Sequence, residues 1–106
     1  MESSELLSFV LEKIDDMKAR DVTKFDVSEK SSLTDHMVIC SGNSKRHVQS
    51  IAENVVQEAK KAEIEILGVE GLTVGEWVLV DLGDVVLHAM QESTRDFYQL
   101  EKLWGE

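Results

Sequence analysis

The sequence has 106 residues, of which 42% are hydrophobic, and its formal net charge is −10. This length suits one domain with its own core, and the hydrophobic fraction excludes wholesale disorder. The acidic excess argues against a protein that binds a bare phosphate backbone, because such proteins present Lys and Arg to phosphate.

The N-terminal part of the chain predicts one helix followed by two strands. Apolar residues recur at helical spacing within residues 4–19, and Ser3 or Ser4 is the expected N-cap. Residues 22–27 predict a strand of modest strength. Residues 35–41 predict a second strand, whose uninterrupted apolar run is typical of a strand covered on both faces.

The central part predicts a helix and three more strands. The helix spans residues 45–63, and the third strand spans residues 64–69. A strand, a helix and a strand in succession predict at least one parallel pair with a crossover. Residues 76–81 and 84–90 predict an antiparallel hairpin, because only Leu82-Gly83 separates them.

The C-terminal residues predict a final helix. Residues 93–96 match a capping box with Asp in place of Glu, and Phe97, Leu100 and Trp104 then fall on one side of the helix. The whole sequence, residues 1–106, therefore predicts a single α/β domain with a mixed five-stranded sheet and flanking helices.

The predicted hairpin has one uniform face and one mixed face. A turn at Leu82-Gly83 would place Asp81 opposite Asp84, Leu79 opposite Val86 and Trp77 opposite His88. The mixed face then carries a Trp, a His, a Met and two acids, a combination typical of protein–protein contacts. The other face is apolar, as expected of core under a helix: Val78, Val80, Val85, Leu87 and Ala89.

Leu82 would stand at the tip of this turn, where a polar residue is the usual choice. An apolar tip between two carboxylates could enter a pocket on a basic partner. The alternative is structural: Trp77 packs beneath a helix, and Leu82 folds back onto the sheet edge.

Residues with possible catalytic or metal-binding chemistry form no recognised motif. His36, His47 and His88 have no metal-site spacing, although His47 could contact the start of its helix. Cys40 lies within an apolar strand, where a cysteine is usually inert. We therefore expect neither a metal nor another cofactor.

An enzymatic alternative rests on the turn formed by residues 42–44, which precedes two basic residues. Backbone N–H groups in such a turn can bind phosphate, as in nucleotidyltransferases. Those enzymes also need converging carboxylates to hold a metal, and Asp81 and Asp84 do not form a convincing pair. Helix capping by Asn43 and Ser44 is the favoured interpretation.

Three blocks of sequence resemble the ribosomal silencing factor (RsfS, Iojap) family. They are residues 30–48 (KSSLTDHMVICSGNSKRHV), residues 69–71 (VEG) with residues 77–88 (WVLVDLGDVVLH), and residues 95–104 (RDFYQLEKLW). The match spans nearly the whole chain, and the blocks occur in the family's order. The family often has Tyr where His36 stands and Thr where Asn43 stands, and both departures are mild.

This resemblance implies a nucleotidyltransferase-like fold without catalytic carboxylates, and a protein that is not an enzyme. It implies binding to the fourteenth protein of the large ribosomal subunit, which would block subunit joining and lower translation when nutrients are scarce. Homodimers are known in the family, and relatives in organelles act in ribosome assembly. Two alternatives remain: a large-subunit assembly factor and, less favoured, a nucleotidyltransferase-like enzyme that binds nucleotides.

The sequence predicts a cytoplasmic protein that binds neither DNA nor membrane. It contains no apolar stretch of about 20 residues and no basic signal-peptide or Arg-rich transit segment. An acidic surface would suit a basic ribosomal protein, although charge alone could serve only solubility. The residues predicted to dock are Trp77, Asp81, Leu82, Asp84 and His88, with Glu70 and Tyr98 as weaker candidates.

Overall fold

The computed structural model describes residues 1–104, which form one five-stranded sheet with helices on both faces. The sheet order is β1-β2-β5-β4-β3, with β2 parallel to β5 and the other neighbours antiparallel. The predicted mixed sheet with a parallel pair is confirmed. In chain order the elements are α1 (Ser3–Asp15), β1 (Arg20–Asp26), β2 (His36–Gly42), α2 (Lys45–Lys61), β3 (Gly68–Glu70), β4 (Trp77–Asp81), β5 (Val85–Gln91), α3 (Glu92–Tyr98) and α4 (Leu100–Trp104).

The main core lies between the sheet and helices α1 and α2. Each helix buries one stripe at helical spacing, which includes Val10 and Ile14 in α1 and Ile51 and Val55 in α2. Asn54 also ties the two helices together by donating to the Lys13 carbonyl at 2.8 Å. The strands, and Leu82 directly after β4, supply alternate residues to this core: Val38, Cys40, Val78, Val80, Leu82, Val85, Leu87 and Ala89.

A smaller core lies on the opposite face of the sheet. Met37 and Ile39 from β2 pack there with Met90 from β5, and Leu100 and Trp104 from α4 cover them. Strand β2 is therefore buried on both faces, as its uninterrupted apolar run predicts. The C-terminal helices cover only part of this face.

Helix α1 begins and ends earlier than predicted. Its N-cap is Glu2 and not Ser3 or Ser4, and the Glu2 N–H donates to Glu5 Oε1 at 3.4 Å. The helix ends at Asp15 because the chain turns toward β1, with Lys18 in the left-handed region at φ 58°. Within residues 1–104, no helix is long and apolar enough to cross a bilayer.

The third strand is shorter than predicted, because residues 64–67 are not part of it. Helix α2 ends with Glu63 in the left-handed region at φ 60°, and the Ile64 N–H donates back to the Ala59 carbonyl at 2.8 Å. Ile64 and Ile66 then pack against the main core instead of pairing in the sheet. Residues 64–67, predicted as strand, therefore form a loop, in which Ile64 and Ile66 are half-buried and Leu67 is exposed.

The predicted C-terminal helix is two short helices. Gln99 adopts a left-handed conformation, φ 51°, and separates α3 from α4. Helix α3 begins at Glu92 with Gln91 as N-cap, so the capping box predicted at residues 93–96 is wrong. The break also separates Phe97 from the packed side: Leu100 and Trp104 contact the sheet, whereas Phe97 is exposed.

Candidate docking surface

The hairpin of β4 and β5 turns one residue later than predicted, which shifts the strand pairing by two residues. Leu79 lies opposite His88, and Trp77 lies opposite Met90, not His88. The turn residues are Gly83 and Asp84, because the Leu82 N–H donates to the Val85 carbonyl at 2.9 Å. Gly83 has φ +86°, which favours glycine at this position.

This shift corrects every predicted pair but leaves the two faces unchanged. A shift of two residues keeps each side chain on its own side of the sheet. Asp81 lies opposite Val86, and not opposite Asp84. Leu79 lies opposite His88, and not opposite Val86. The predicted apolar face is confirmed, since all five of its residues belong to the main core.

Leu82 does not stand at an exposed tip. It is only 5% exposed and packs in the main core, on the face opposite to Trp77. The structural alternative is therefore correct for this residue, and shortening its side chain would disturb the core. Asp84 is exposed at the turn, where its carbonyl accepts from the N–H groups of Asp35 and His36 at 3.0 and 2.9 Å.

The mixed face of the hairpin continues onto β3. Glu70 lies opposite Leu79, and Leu79 lies opposite His88, so the three residues form one row across β3, β4 and β5. Asp81 and Val86 form the adjacent row. Glu70 is exposed, whereas Leu79 and Asp81 are half-buried. The structure thus brings Glu70, which sequence reasoning could not place, onto the predicted face.

Trp77 and His88 are joined by a hydrogen bond. The indole Nε1–H donates to His88 Nδ1 at 2.9 Å, and the ring centroids are 5.8 Å apart. His88 is 6% exposed, and burial lowers its pKa to about 4. The imidazole is therefore neutral at pH 7, with Nδ1 as an acceptor that fixes the Trp77 ring.

Tyr98 reaches the same face from α3. Its ring centroid lies 5.0 Å from that of Trp77, and the planes are tilted by 51°. Tyr98 is 55% exposed, so much of its ring faces solvent. The surface formed by Glu70, Trp77, Asp81, His88 and Tyr98 is called the docking face below.

Arg95 holds α3 against the sheet and was missed by sequence reasoning. Its guanidinium donates to the Asp21 carbonyl at 2.6 Å, to Ser41 Oγ at 2.9 Å and to Thr23 Oγ1 at 3.1 Å. It also donates to the Glu101 carboxylate. Partial burial opposes ionisation of Glu101, but this hydrogen bond and the charge of Arg95 keep its pKa below the usual value. No local pattern signals these contacts, because three of the acceptors lie more than 50 residues away.

The turn before α2 is occupied by its own capping contacts. Ser44 Oγ accepts from the His47 N–H at 3.0 Å, and His47 Nδ1 accepts from the Asn43 N–H at 3.0 Å. His47 Nε2 lies 2.8 Å from the Met17 carbonyl. The capping interpretation is confirmed for Ser44, whereas Asn43 contributes only its backbone N–H, and the predicted contact of His47 with the helix start is confirmed.

Side chains of the types that bind metal ions do not cluster within residues 1–104. No three His, Cys, Asp or Glu side chains there are placed to hold a metal ion. Cys40 is buried, and burial raises the pKa of its thiol to about 12, so it carries no thiolate at pH 7.

Comparisons with known proteins identify one family. The family model described as "Ribosomal silencing factor during starvation" matches residues 1–106. A ribosomal silencing factor RsfS from Haemophilus influenzae is 48% identical over 100 residues, which cover 94% of this chain and 98% of that protein. A mouse protein named "Mitochondrial assembly of ribosomal large subunit protein 1" is 36% identical over 89 residues, covering 81% of this chain and 39% of that protein. A Chromobacterium violaceum crystal structure has 42% identity and a TM-score of 0.97, covering 99% of this chain and 88% of that one.

Proposed function

The chain belongs to the ribosomal silencing factor family, and we propose that it binds the large ribosomal subunit and sterically blocks its association with the small subunit. The proposed contact is the fourteenth protein of the large subunit. The protein would act in the cytoplasm without catalysis and repress translation when nutrients are limited.

One observation carries the choice of contact surface: a sheet face that the C-terminal helices leave partly open. Trp77, Leu79 and Asp81 are half-buried there, beside the exposed Glu70 and Tyr98. Aromatic residues contribute much of the binding energy in protein interfaces, and the Trp77 ring is already fixed by His88. The face is therefore preorganised for contact with another protein.

The charge of the molecule supports a basic partner. The net charge is −10, and residues 54–106, which include the docking face, contain 11 acidic and 4 basic side chains. Such a surface attracts a basic protein and speeds the encounter. It also repels the phosphates of ribosomal RNA, which would limit binding elsewhere on the subunit.

The structure changes which of the predicted docking residues we propose as contacts. Glu70, Trp77, Asp81 and Tyr98 share one face, and we propose them together as contacts. His88 lies on the same face but is 6% exposed, so we propose that it acts by fixing the Trp77 ring. Leu82 supports the hairpin from the core and is not proposed as a contact. Asp84 remains a candidate at the exposed turn, at one end of the same hairpin.

A role in large-subunit assembly is the second candidate, favoured by the name of the mouse relative. An assembly factor could use the same docking face, but it would bind maturing subunits and leave the joining of mature subunits unaffected. The two roles therefore differ in whether the protein prevents joining.

Charge reversal at Glu70 tests the proposed surface. Glu70 is exposed on the docking face, so Glu70→Lys should preserve the fold and weaken binding to purified large subunits on the order of tenfold. Glu53→Lys is the matched control, because Glu53 is exposed on α2, which covers the opposite face. Equal binding by the two variants, measured by co-sedimentation, would refute this choice of surface.

A further inference from the structure

One aromatic ring of the C-terminal region lies almost entirely in solvent. Phe97 is 80% exposed, and α3 contains no buried residue. A ring of this size gains free energy when it is removed from water. The core does not use Phe97, so most of its ring is available for contact with a partner.

Phe97 extends the aromatic part of the docking face. Its ring packs edge-on against Tyr98, with centroids 5.0 Å apart and planes at 84°, and Tyr98 packs in turn against Trp77. Three rings therefore form a continuous row from α3 to β4. Its inner end is fixed by the hydrogen bond between Trp77 and His88.

The row is preorganised for binding. Arg95 fixes α3 to β1 and β2, so the backbone that carries Phe97 is held before any partner arrives. A Phe side chain has two rotatable angles and loses little conformational entropy when it is buried. Exposed, rigidly presented aromatic residues with these properties are typical hot spots of interfaces.

We propose that Phe97 is an additional anchor of the docking face and inserts into an apolar recess, flanked by Lys or Arg, on a basic protein of the large subunit. The inference rests on the proposed function above. Continuity with the Trp77 and Tyr98 rings assigns Phe97 to the same partner. The acidic Glu70 and Asp81 on this face favour a cationic rim around the recess, and a cation can also lie over an aromatic ring.

The test compares Phe97→Ala with Leu33→Ala in binding to purified large subunits. Leu33 is 87% exposed, and it precedes β2 at the end of the sheet away from Trp77, so it controls for the loss of an exposed apolar side chain. Phe97→Ala should weaken binding roughly 10- to 30-fold, whereas Leu33→Ala should bind like the wild type. The two variants should have the same thermal midpoint as the wild type.

The outcomes separate this inference from the proposed function. If Glu70→Lys weakens binding but Phe97→Ala does not, the docking face stands and the role of Phe97 is refuted. If the wild type does not bind the subunit, both proposals fail. A Phe97→Ala protein that loses its cooperative thermal transition, or that changes only the sedimentation of the free protein, would assign the ring to folding or to self-association and would also refute the inference.

Discussion

The burial of His88 makes the stability of the fold depend on a neutral imidazole. The folded protein holds the pKa of His88 at about 4, whereas an unfolded chain would titrate near the ordinary value of 6.5. Above pH 6.5 both states are neutral at this residue. As the pH falls from 6.5 toward 4, the unfolded state binds a proton that the folded state excludes, so stability is lost.

We therefore predict that His88 lowers the free energy of unfolding by about 2 kcal/mol between pH 7 and pH 5. The measurement is urea denaturation across this range, with His88→Gln as the comparison. The variant should be less stable at pH 7, because its packing is altered, but its stability should fall less with pH. Parallel profiles for the two proteins would show that His88 is not the group responsible.

At the scale of residues, the sequence predicted correctly on which face of the sheet a side chain lies, but it did not predict the position of the hairpin turn. Alternation correctly assigned Val78, Val80 and Ala89 to the core, because a strand's period is two. The turn lies one residue later than predicted, at Gly83 and Asp84, so Leu82 was expected at the tip but is buried. The long-range contacts of Arg95 could not be predicted, since they depend on how distant elements meet.

At the scale of elements, α3 connects the docking face to the far edge of the sheet. Tyr98 lies at its C-terminal end against Trp77, while Arg95, one turn earlier, bonds to residues of β1 and β2. Helix α3 has seven residues and buries none of them, so it has little intrinsic stability. Arg95 is thus the main polar contact that positions Tyr98.

Replacing Arg95 with Lys should lower stability by about 1–3 kcal/mol, because an ammonium group cannot reproduce four contacts made by a planar guanidinium. Arg20→Lys is the matched control: Arg20 is 56% exposed and makes one ion pair, with Glu92 at 3.9 Å. The free energy of unfolding of the Arg20→Lys variant should remain within about 0.5 kcal/mol of the wild-type value. The measurement is the midpoint of urea denaturation for the two variants. An equal loss of stability in both would contradict the role of Arg95.

Elements themselves were predicted best where the apolar pattern is long. Helix α2 begins at the predicted Lys45, and β2 has the two-sided burial that its sequence indicates. Boundaries set by a single left-handed residue were missed, as at Lys18, Glu63 and Gln99. None of these is a glycine, so their sequence carries no signal of the turn.

On the scale of the whole molecule, the two faces of the sheet have different roles. Helices α1 and α2 cover one face, and this face supplies the main core. The C-terminal helices cover the other face only in part, and they place aromatic and acidic side chains around the open area. A mixed sheet could be predicted from element order, but the partial coverage could not, because it depends on the break at Gln99.

The most direct test of the proposed function is sedimentation of purified ribosomal subunits with and without the protein at two salt concentrations. We predict that the protein travels with the large subunit and reduces the fraction of joined ribosomes, more strongly at low salt, because screening weakens attraction between an acidic surface and a basic partner. Binding without an effect on joining would favour the assembly role. A protein that travels with neither subunit and leaves joining unchanged would contradict the account.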